Sequence, residues 1–394
     1  MEQVLYQLPD GWEWKRIEDV FTIASGESPT KKDMQDGGAF PVYGGNGEAG
    51  RYNDFNLDGP NIVIGRFGRN CGSVRLVNEK IWVSSGAFFI KEYKVEILED
   101  YLAKILSALD LSASANKTTQ PVISYKAIKE LYIPYPPLNE QKRIAEKLDA
   151  LLTRIDTIIP HLQESVTLAD ALFSSALLRV FNPSNAAVDF RGDYDLPECW
   201  DWKSINNISK KVQYGHAYKS GAKGNARLLR ITDIRDNKID WFSVPFVDLS
   251  EKELGKYVLC ENDILFARVG STVGKSILIK NPPENAVFAS YLIRIVPDLE
   301  MILPEYLDLF FQSPAYWSIV RENATGVSQP NINGAKLGEF KIPTPNLEIQ
   351  KRIVNEMSSL NARVTVVKKE LKNKLSLLET AKLSILDLAF KGGL

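Results

Sequence analysis

The chain has 394 residues, 48 Lys and Arg against 49 Asp and Glu, and a net charge of −1. With 44% hydrophobic and 25% charged residues it reads as ordinary globular protein, which excludes a disordered or membrane-spanning chain. Three cysteines (Cys71, Cys199, Cys260) and two histidines (His161, His216) are scattered without metal-ligand or disulfide-framework spacing. Met1–Gln7 lacks the basic start and apolar core of a signal peptide, and no apolar run reaches the roughly 20 residues of a membrane helix. The cytoplasm is the expected location.

In chain order, residues 1–136 read as a mixed domain of short strands. Asn61–Gly65, Lys80–Val83 and Gly86–Ile90 are β-type runs punctuated by glycine, and Glu99–Leu111 has helical spacing of Tyr101, Leu102, Ile105, Leu106 and Leu109. Residues 137–182 start within Ile133-Pro-Tyr-Pro-Pro-Leu-Asn-Glu-Gln-Lys-Arg-Ile144, where prolines close a strand and a long helix opens. From Ile144 the apolar residues step by four and three through Leu148, Leu151, Ile155, Ile158 and Leu162, then Ser165, Ala169, Leu172 and Ala176. That is a coiled-coil seam. Pro160 inside it is expected to kink or split the helix. Residues 183–345 form a second globular domain, with strands at Asp263–Ala267 and Ala286–Ser290 and a helix from Glu305. Residues 346–394 form a second long helix with the seam Ile353, Met357, Leu360, Val364, Val367, Leu371, Lys374, Leu378, Ala381, Ile385 and Leu388.

The second half repeats the first. Ile342-Pro-Thr-Pro-Asn-Leu-Glu-Ile-Gln-Lys-Arg-Ile353 matches the first helix opening, and Leu196-Pro-Glu-Cys-Trp-Asp-Trp-Lys203 matches Leu8-Pro-Asp-Gly-Trp-Glu-Trp-Lys15. Gly65-Arg66-Phe67-Gly68 with Gly72 matches Ala267-Arg268-Val269-Gly270 with Gly274. Tyr101-Leu102 matches Tyr306-Leu307, and Gln120-Pro121 matches Gln329-Pro330. The second copy is longer, chiefly between its Trp motif and its Gly-rich strand end. An order of domain, helix, domain, helix predicts antiparallel helices, a pseudo-two-fold axis, and Leu394 close to Met1.

Charge is uneven. Between Lys203 and Arg235 eight basic residues face a single acid, Asp233, with Tyr214, His216 and Tyr218 interleaved. In the first copy, the acid-free stretch from Asp58 to Glu79 holds Arg66, Arg69 and Arg75. A second one, Leu111–Lys129, holds Lys117, Thr118, Thr119 and Gln120. Such stretches suit phosphate contacts, and their recurrence at matching places in both copies points to DNA.

The doubled Pro-Pro-Leu-x-Glu-Gln-x-x-Ile opening resembles that of the specificity subunits of type I restriction–modification systems. So do the paired Leu-Pro-x-x-Trp-x-Trp motifs, Val42-Tyr-Gly-Gly-Asn-Gly47 and Gly326-Val-Ser-Gln-Pro-Asn-Ile332. The second opening departs at Asn346 and Ile349. The resemblance implies an α+β protein of two repeated mixed target-recognition domains separated by a long antiparallel two-helix coiled coil. It implies a non-catalytic subunit that binds double-stranded DNA, two DNA adenine methyltransferase subunits and restriction/translocase subunits, with S-adenosylmethionine, ATP and Mg held by those partners.

The residues expected to face DNA are Lys31, Lys32, Tyr43, Asn46, Arg51, Arg66, Arg69, Asn70, Lys117 and Thr119 in the first copy. In the second they are Tyr214, His216, Lys219, Lys223, Arg227, Arg268, Ser271, Thr272, Lys275 and Ser328. The apolar seam residues from Ile144 to Leu162 and from Ile353 to Leu371 are expected to hold the coiled coil and partners. Catalytic motifs fall short: Gly270-Ser-Thr-Val-Gly274-Lys275-Ser276 has one residue too few for a P-loop. Asn281-Pro-Pro-Glu284 lacks the aromatic that stacks an extruded base. Pro9-Asp10 with Glu13-Trp14-Lys15 is too tight for a metal cradle. A nucleotide-binding DNA-modifying enzyme and a coiled-coil scaffold without DNA specificity remain the alternatives.

Overall fold

The computed structural model describes residues 3, 5–29, 34, 37–68, 70–116, 120–182, 196–235, 237–326 and 329–394. The chain divides into two compact units, Met1–Gln163 with Lys372–Leu394, and Glu164–Leu371.

The globular part of the first unit comprises β1 (Glu13–Arg16), α1 (Ile17–Val20), β2 (Phe21–Ser25), β3 (Phe40–Gly44), β4 (Gly47–Tyr52), β5 (Asn61–Gly65), β6 (Val74–Val77), β7 (Trp82–Val83), β8 (Ala87–Tyr93), α2 (Glu99–Ala108), α3 (Tyr125–Ile128) and β9 (Tyr132–Tyr135). The long α4 (Leu138–Phe181) follows. One sheet has the order β2-β8-β5-β6 and another β4-β3-β7. Ile62, Ile64 and Ile90 meet Tyr101, Leu102, Ile105 and Leu106 of α2 in the core.

The second unit repeats this with β10 (Trp200–Ser204), β11 (Ser209–Tyr214), β12 (Ala226–Leu229), β13 (Ile234–Arg235), β14 (Lys238–Ile239), β15 (Phe246–Val247), α5 (Glu251–Tyr257), β16 (Ile264–Ala267), β17 (Ser276–Leu278), β18 (Ala286–Phe288), β19 (Leu292–Pro297), α6 (Pro304–Gln312), α7 (Pro314–Asn323), α8 (Gly334–Gly338) and β20 (Lys341–Pro345), followed by α9 (Leu347–Phe390). Its four-stranded sheet, β11-β19-β16-β17, has the same order as the first unit's. The added chain of the longer copy includes the β13–β14 hairpin and the turn after it.

The repeated motifs have local structural causes. The Trp motif is the strand that pairs with the one before each long helix: Trp14 lies opposite Pro134 and Trp202 opposite Pro343. The glutamine of each helix opening is fully buried and joins three segments. Gln141 Nε2 donates to the Pro136 carbonyl at 2.9 Å, and its Oε1 accepts the Leu98 N–H at 2.9 Å, at the start of α2. Gln350 does the same with Pro345 (2.8 Å) and Leu303 (2.8 Å), at the start of α6. The repeated tyrosines add a second tie, with Tyr101 Oη donating to Pro134 O at 2.8 Å and Tyr306 Oη to Pro343 O at 2.6 Å.

Within each unit the long helices run antiparallel. In the first unit Leu148 shares a core with Phe390 while Asp156 pairs with Lys382 at 2.7 Å, so advancing along α4 retreats along α9. In the second, Phe181 shares a core with Met357 and Asp170 pairs with Lys368. Arg143 Nη1 donates to the Leu394 carbonyl at 2.6 Å and Tyr6 Oη to Phe390 O at 2.7 Å, which puts the chain end beside the amino-terminal segment. Met1 itself lies outside the described residues.

Two expectations about the helices need correction. Pro160 does not split α4, which runs unbroken through it. The residue is exposed, so the carbonyl that loses its N–H partner can turn to water. The buried stripe also leaves the strict heptad. Ile144, Leu148, Ile155, Ile353, Met357 and Val364 are buried and Leu151, Leu162, Leu360 and Leu371 half-buried, but Ile158 is 46% and Val367 47% exposed. Leu172, Lys374 and Leu388 also face outward, and the places of these five are taken by Ile159, Phe173, Lys368, Leu375 and Ala389. An α-helix of 3.6 residues per turn drifts from a 3.5 repeat, and the inner stripe follows the helix.

Candidate nucleic-acid interface

In each unit a hairpin of the four-stranded sheet ends in the same loop. Gly65 N donates to Ser73 O and Gly72 N to Gly65 O, each at 2.8 Å. The matching bonds run from Ala267 N to Lys275 O (2.7 Å) and from Gly274 N to Ala267 O (2.9 Å). Gly68 N reaches Pro121 O at 3.0 Å and Gly270 N reaches Pro330 O at 2.9 Å, which is what the repeated Gln-Pro supplies. The loop needs glycine at Gly72 (φ +86°) and Gly274 (φ +90°). A Cβ there would stand 2.5 Å from Ser112 N or 2.7 Å from Val320 Cγ1.

This frame positions one arginine per unit. Arg66 N donates to Gly86 O (2.9 Å) and Ile123 N to Arg66 O (3.0 Å); Arg268 is held likewise by Tyr291 O and Ile332 N, each at 3.0 Å. The Arg66 guanidinium lies 4.7 Å from the Phe67 ring centre and 5.1 Å from that of Phe88, with Nη1 donating to Ser25 Oγ at 3.2 Å. The Arg268 guanidinium lies 4.9 Å from the Tyr214 ring centre. Both Nε atoms are buried without a hydrogen-bond partner among the described residues. An aromatic platform fixes each cation at little entropic cost and leaves its outer edge available to an anion.

Around this pair the expected residues divide. Asn46 and Asn70 are exposed near the first loop, and Ser271, Lys275, Lys219 and Lys223 are exposed in the second unit. Thr272 Oγ1 caps Val269 O at 3.3 Å. Tyr43 is half-buried against a small core with Val63 and Ile81. Arg51 is held inside its hairpin by Gly38 O (2.7 Å), Ala39 O (2.9 Å) and Glu48 (3.6 Å). Arg227 stacks 4.4 Å from the Phe246 ring centre and donates to Val244 O at 2.9 Å. Their charge signalled an interface, whereas their donors serve the fold. Lys31, Lys32, Arg69, Lys117, Thr119 and Ser328 lie outside the described residues.

His216 stacks on Tyr218 at 4.0 Å between ring centres. Burial, then the 2.9 Å hydrogen bond to Glu253, pushes the Tyr218 phenol up to about 12. The Ser250 hydroxyl and N–H, with Tyr218, hold the Glu253 carboxyl down at about 2. That carboxylate is thereby tied up by Ser250 and Tyr218. A cleft of about 620 Å³ opens between His216, Lys219, Arg230, Thr232 and Tyr291. Tyr291, which sequence reasoning missed, occupies the place of Gly86, so aligning the repeats through the β18–β19 turn would have found it.

The loop of Gly270–Ser276 joins two strands of a hairpin and leads into no helix, so its backbone cannot form a phosphate-cradling helix start. No helix of the described residues is long and apolar enough to cross a membrane, and no group of three or more His, Cys, Asp or Glu among them could hold a metal ion.

A duplicated fold with one cationic loop per copy defines a tandem recognition protein, built to contact a ligand at two places. The family model of the type I restriction modification DNA specificity domain matches residues 9–168 and 205–377, and the chain belongs to that family of DNA sequence-specificity proteins. It is 30% identical to the type I restriction enzyme EcoKI specificity subunit of Escherichia coli strain K12, over 83% of this chain and 69% of the relative. It is 27% identical to the EcoBI specificity subunit of Escherichia coli, over 80% of this chain and 71% of the relative. A chain solved under "Structural basis underlying complex assembly and conformational transition of the type I R-M system" superposes with a TM-score of 0.77 at 19% identity. It covers 99% of this chain and 100% of that one, a likeness of fold.

Proposed function

We propose that each globular repeat reads one half of a bipartite, asymmetric DNA target, and that the long helices set the gap and dock two DNA adenine methyltransferase subunits. The observation that carries this is the doubled loop, with Arg66 and Arg268 on equivalent backbone frames beside non-equivalent surroundings. Equivalent arginines supply the sequence-independent phosphate contact, and the differing neighbours supply sequence reading. The chain acts as a recognition subunit without catalysis of its own. S-adenosylmethionine, ATP and Mg belong to its methyltransferase and restriction/translocase partners, and the assembly works in the cytoplasm.

The test is to express the chain with its methyltransferase subunit in a host free of other adenine methylation and to map modified sites. A two-part motif with a fixed gap is expected. Replacing residues 205–341 by those of a relative should change one half of the motif only. A single continuous motif, or changes in both halves, would overturn the reading.

A further inference from the structure

We infer that Phe242 is a wedge that the second unit inserts between base pairs of its half-site, unstacking one step of the duplex; this rests on the DNA-reading function proposed above. Phe242 is 94% exposed, more than any other large hydrophobic side chain among the described residues. Its ring stands on a built turn. The Phe242 N–H donates to Asp240 Oδ1 at 3.1 Å, and Ser243 donates to Asp240 O through N (3.1 Å) and Oγ (2.9 Å). From beneath, Arg227 Nη1 donates to Val244 O at 2.9 Å and to Phe242 O at 3.5 Å. A ring presented on a fixed turn gives up little conformational freedom on binding.

The surroundings select the occupant. Exposed Arg235 and Lys238 share a cleft of about 250 Å³ with Thr232, Asp240 and Ser243 beside the turn. Thr232 also lines the larger cleft with His216, Lys219 and Tyr291, and Tyr291 O holds Arg268. The two clefts therefore link the Arg268 loop to Ser243, the chain neighbour of Phe242, in one strip. The exposed large aromatic side chains of this unit among the described residues, Tyr214, Tyr291 and Phe242, all lie on it. A protein partner would need an apolar patch around the ring, but its exposed neighbours among the described residues, Arg235, Lys238, Asp240 and Ser243, are polar. Asp233, which lines the same cleft, is closed off by Arg230 at 2.7 Å, and Asp236 of the hairpin turn lies outside the described residues. A bare phenyl ring beside Arg235 and Lys238, with Asp240 engaged by the Phe242 N–H, suits stacked bases next to a phosphate. The globular part of the first unit has no comparably exposed aromatic among its described residues, so the distortion is confined to one half-site. A TA or CA/TG step would accept the wedge most readily.

The test uses the duplex found by methylation mapping, with 2-aminopurine placed in turn at each purine of the second unit's half-site other than the methylated adenine. The complex of the chain with its methyltransferase subunit is added without S-adenosylmethionine. The native complex should raise fluorescence at one step. Phe242→Ala should abolish that rise and weaken binding about tenfold with an unchanged salt slope, and Phe242→Trp should restore both. Unchanged fluorescence and affinity for Phe242→Ala would overturn the wedge, as would loss of methyltransferase assembly with normal DNA signals. Failure of the native complex to yield a two-part motif would instead defeat the underlying reading.

Discussion

Arg268 lies over the ring of Tyr214 while the Tyr214 hydroxyl accepts the N–H of Gly334, so one tyrosine ties the cationic loop to β11 and to the start of α8. Arg66 has two phenylalanine rings in place of that tyrosine. The two units thus reach the same cation placement through different aromatic supports.

Arg66→Ala together with Arg268→Ala should lower the slope of log affinity against log salt by about two, one for each lost phosphate contact. Both residues are half-buried over aromatic rings, so Arg→Lys variants should keep part of the slope and lose affinity through poorer placement. DNA titrations across a salt series decide it, and an unchanged slope in the double variant removes these residues from the interface.

Gln141→Leu and Gln350→Leu should each destabilise by about 2–4 kcal/mol. Each strands a part-buried N–H at the start of α2 or α6 and a buried proline carbonyl beneath the long helix, at roughly 1–3 kcal/mol per group. Denaturant unfolding measures the loss. A cost below about 0.5 kcal/mol would mean that water replaces the amide in both places.

These glutamines show what the sequence makes legible. Repetition announces that Gln141 and Gln350 matter, but their partners Leu98 and Leu303 lie far back in the chain, and no local pattern names them. The two-domain, two-helix order and the Arg66–Arg268 match are readable because they recur. Arg51 and Arg227 show a limit of reading charge alone: a guanidinium can satisfy backbone carbonyls as readily as phosphates, and only the folded chain shows that both do so. Phe242 and Tyr291 escaped notice because charge was the signal sought, whereas exposure of an aromatic ring is visible only after folding.

Asp308 gives a pH dependence of definite sign. Burial pushes its carboxyl up to about 6, against the pull of a 2.8 Å hydrogen bond from Gln312. The folded chain therefore holds this proton more tightly than the unfolded chain, whose carboxyl titrates near 3.9. Its contribution to stability is complete below about pH 4 and is lost as pH rises towards about 6. Asp308→Asn, neutral throughout, should melt roughly 2–4 °C higher than the native protein at pH 7.5. The gain should fade by pH 4. A difference independent of pH would assign the effect to packing.

The seam makes the sharpest stability prediction, because two isoleucines three residues apart are expected to differ. Ile155 is 8% and Ile158 46% exposed, although a strict heptad puts both on the inner face. Ile155→Ala should cost about 2–4 kcal/mol, for lost burial and the cavity left behind. Met357→Ala, equally buried, should cost a similar amount. Ile158→Ala and Val367→Ala should stay within about 0.5 kcal/mol. Lys374→Leu should leave the melting temperature unchanged, because Lys374 is exposed and a leucine there would bury little. If the helices followed a 3.5-residue repeat, Ile158→Ala would match Ile155→Ala and Lys374→Leu would stabilise. Unfolding of the four alanine variants and the leucine variant distinguishes these patterns, since the drifting stripe and the strict heptad rank the positions differently.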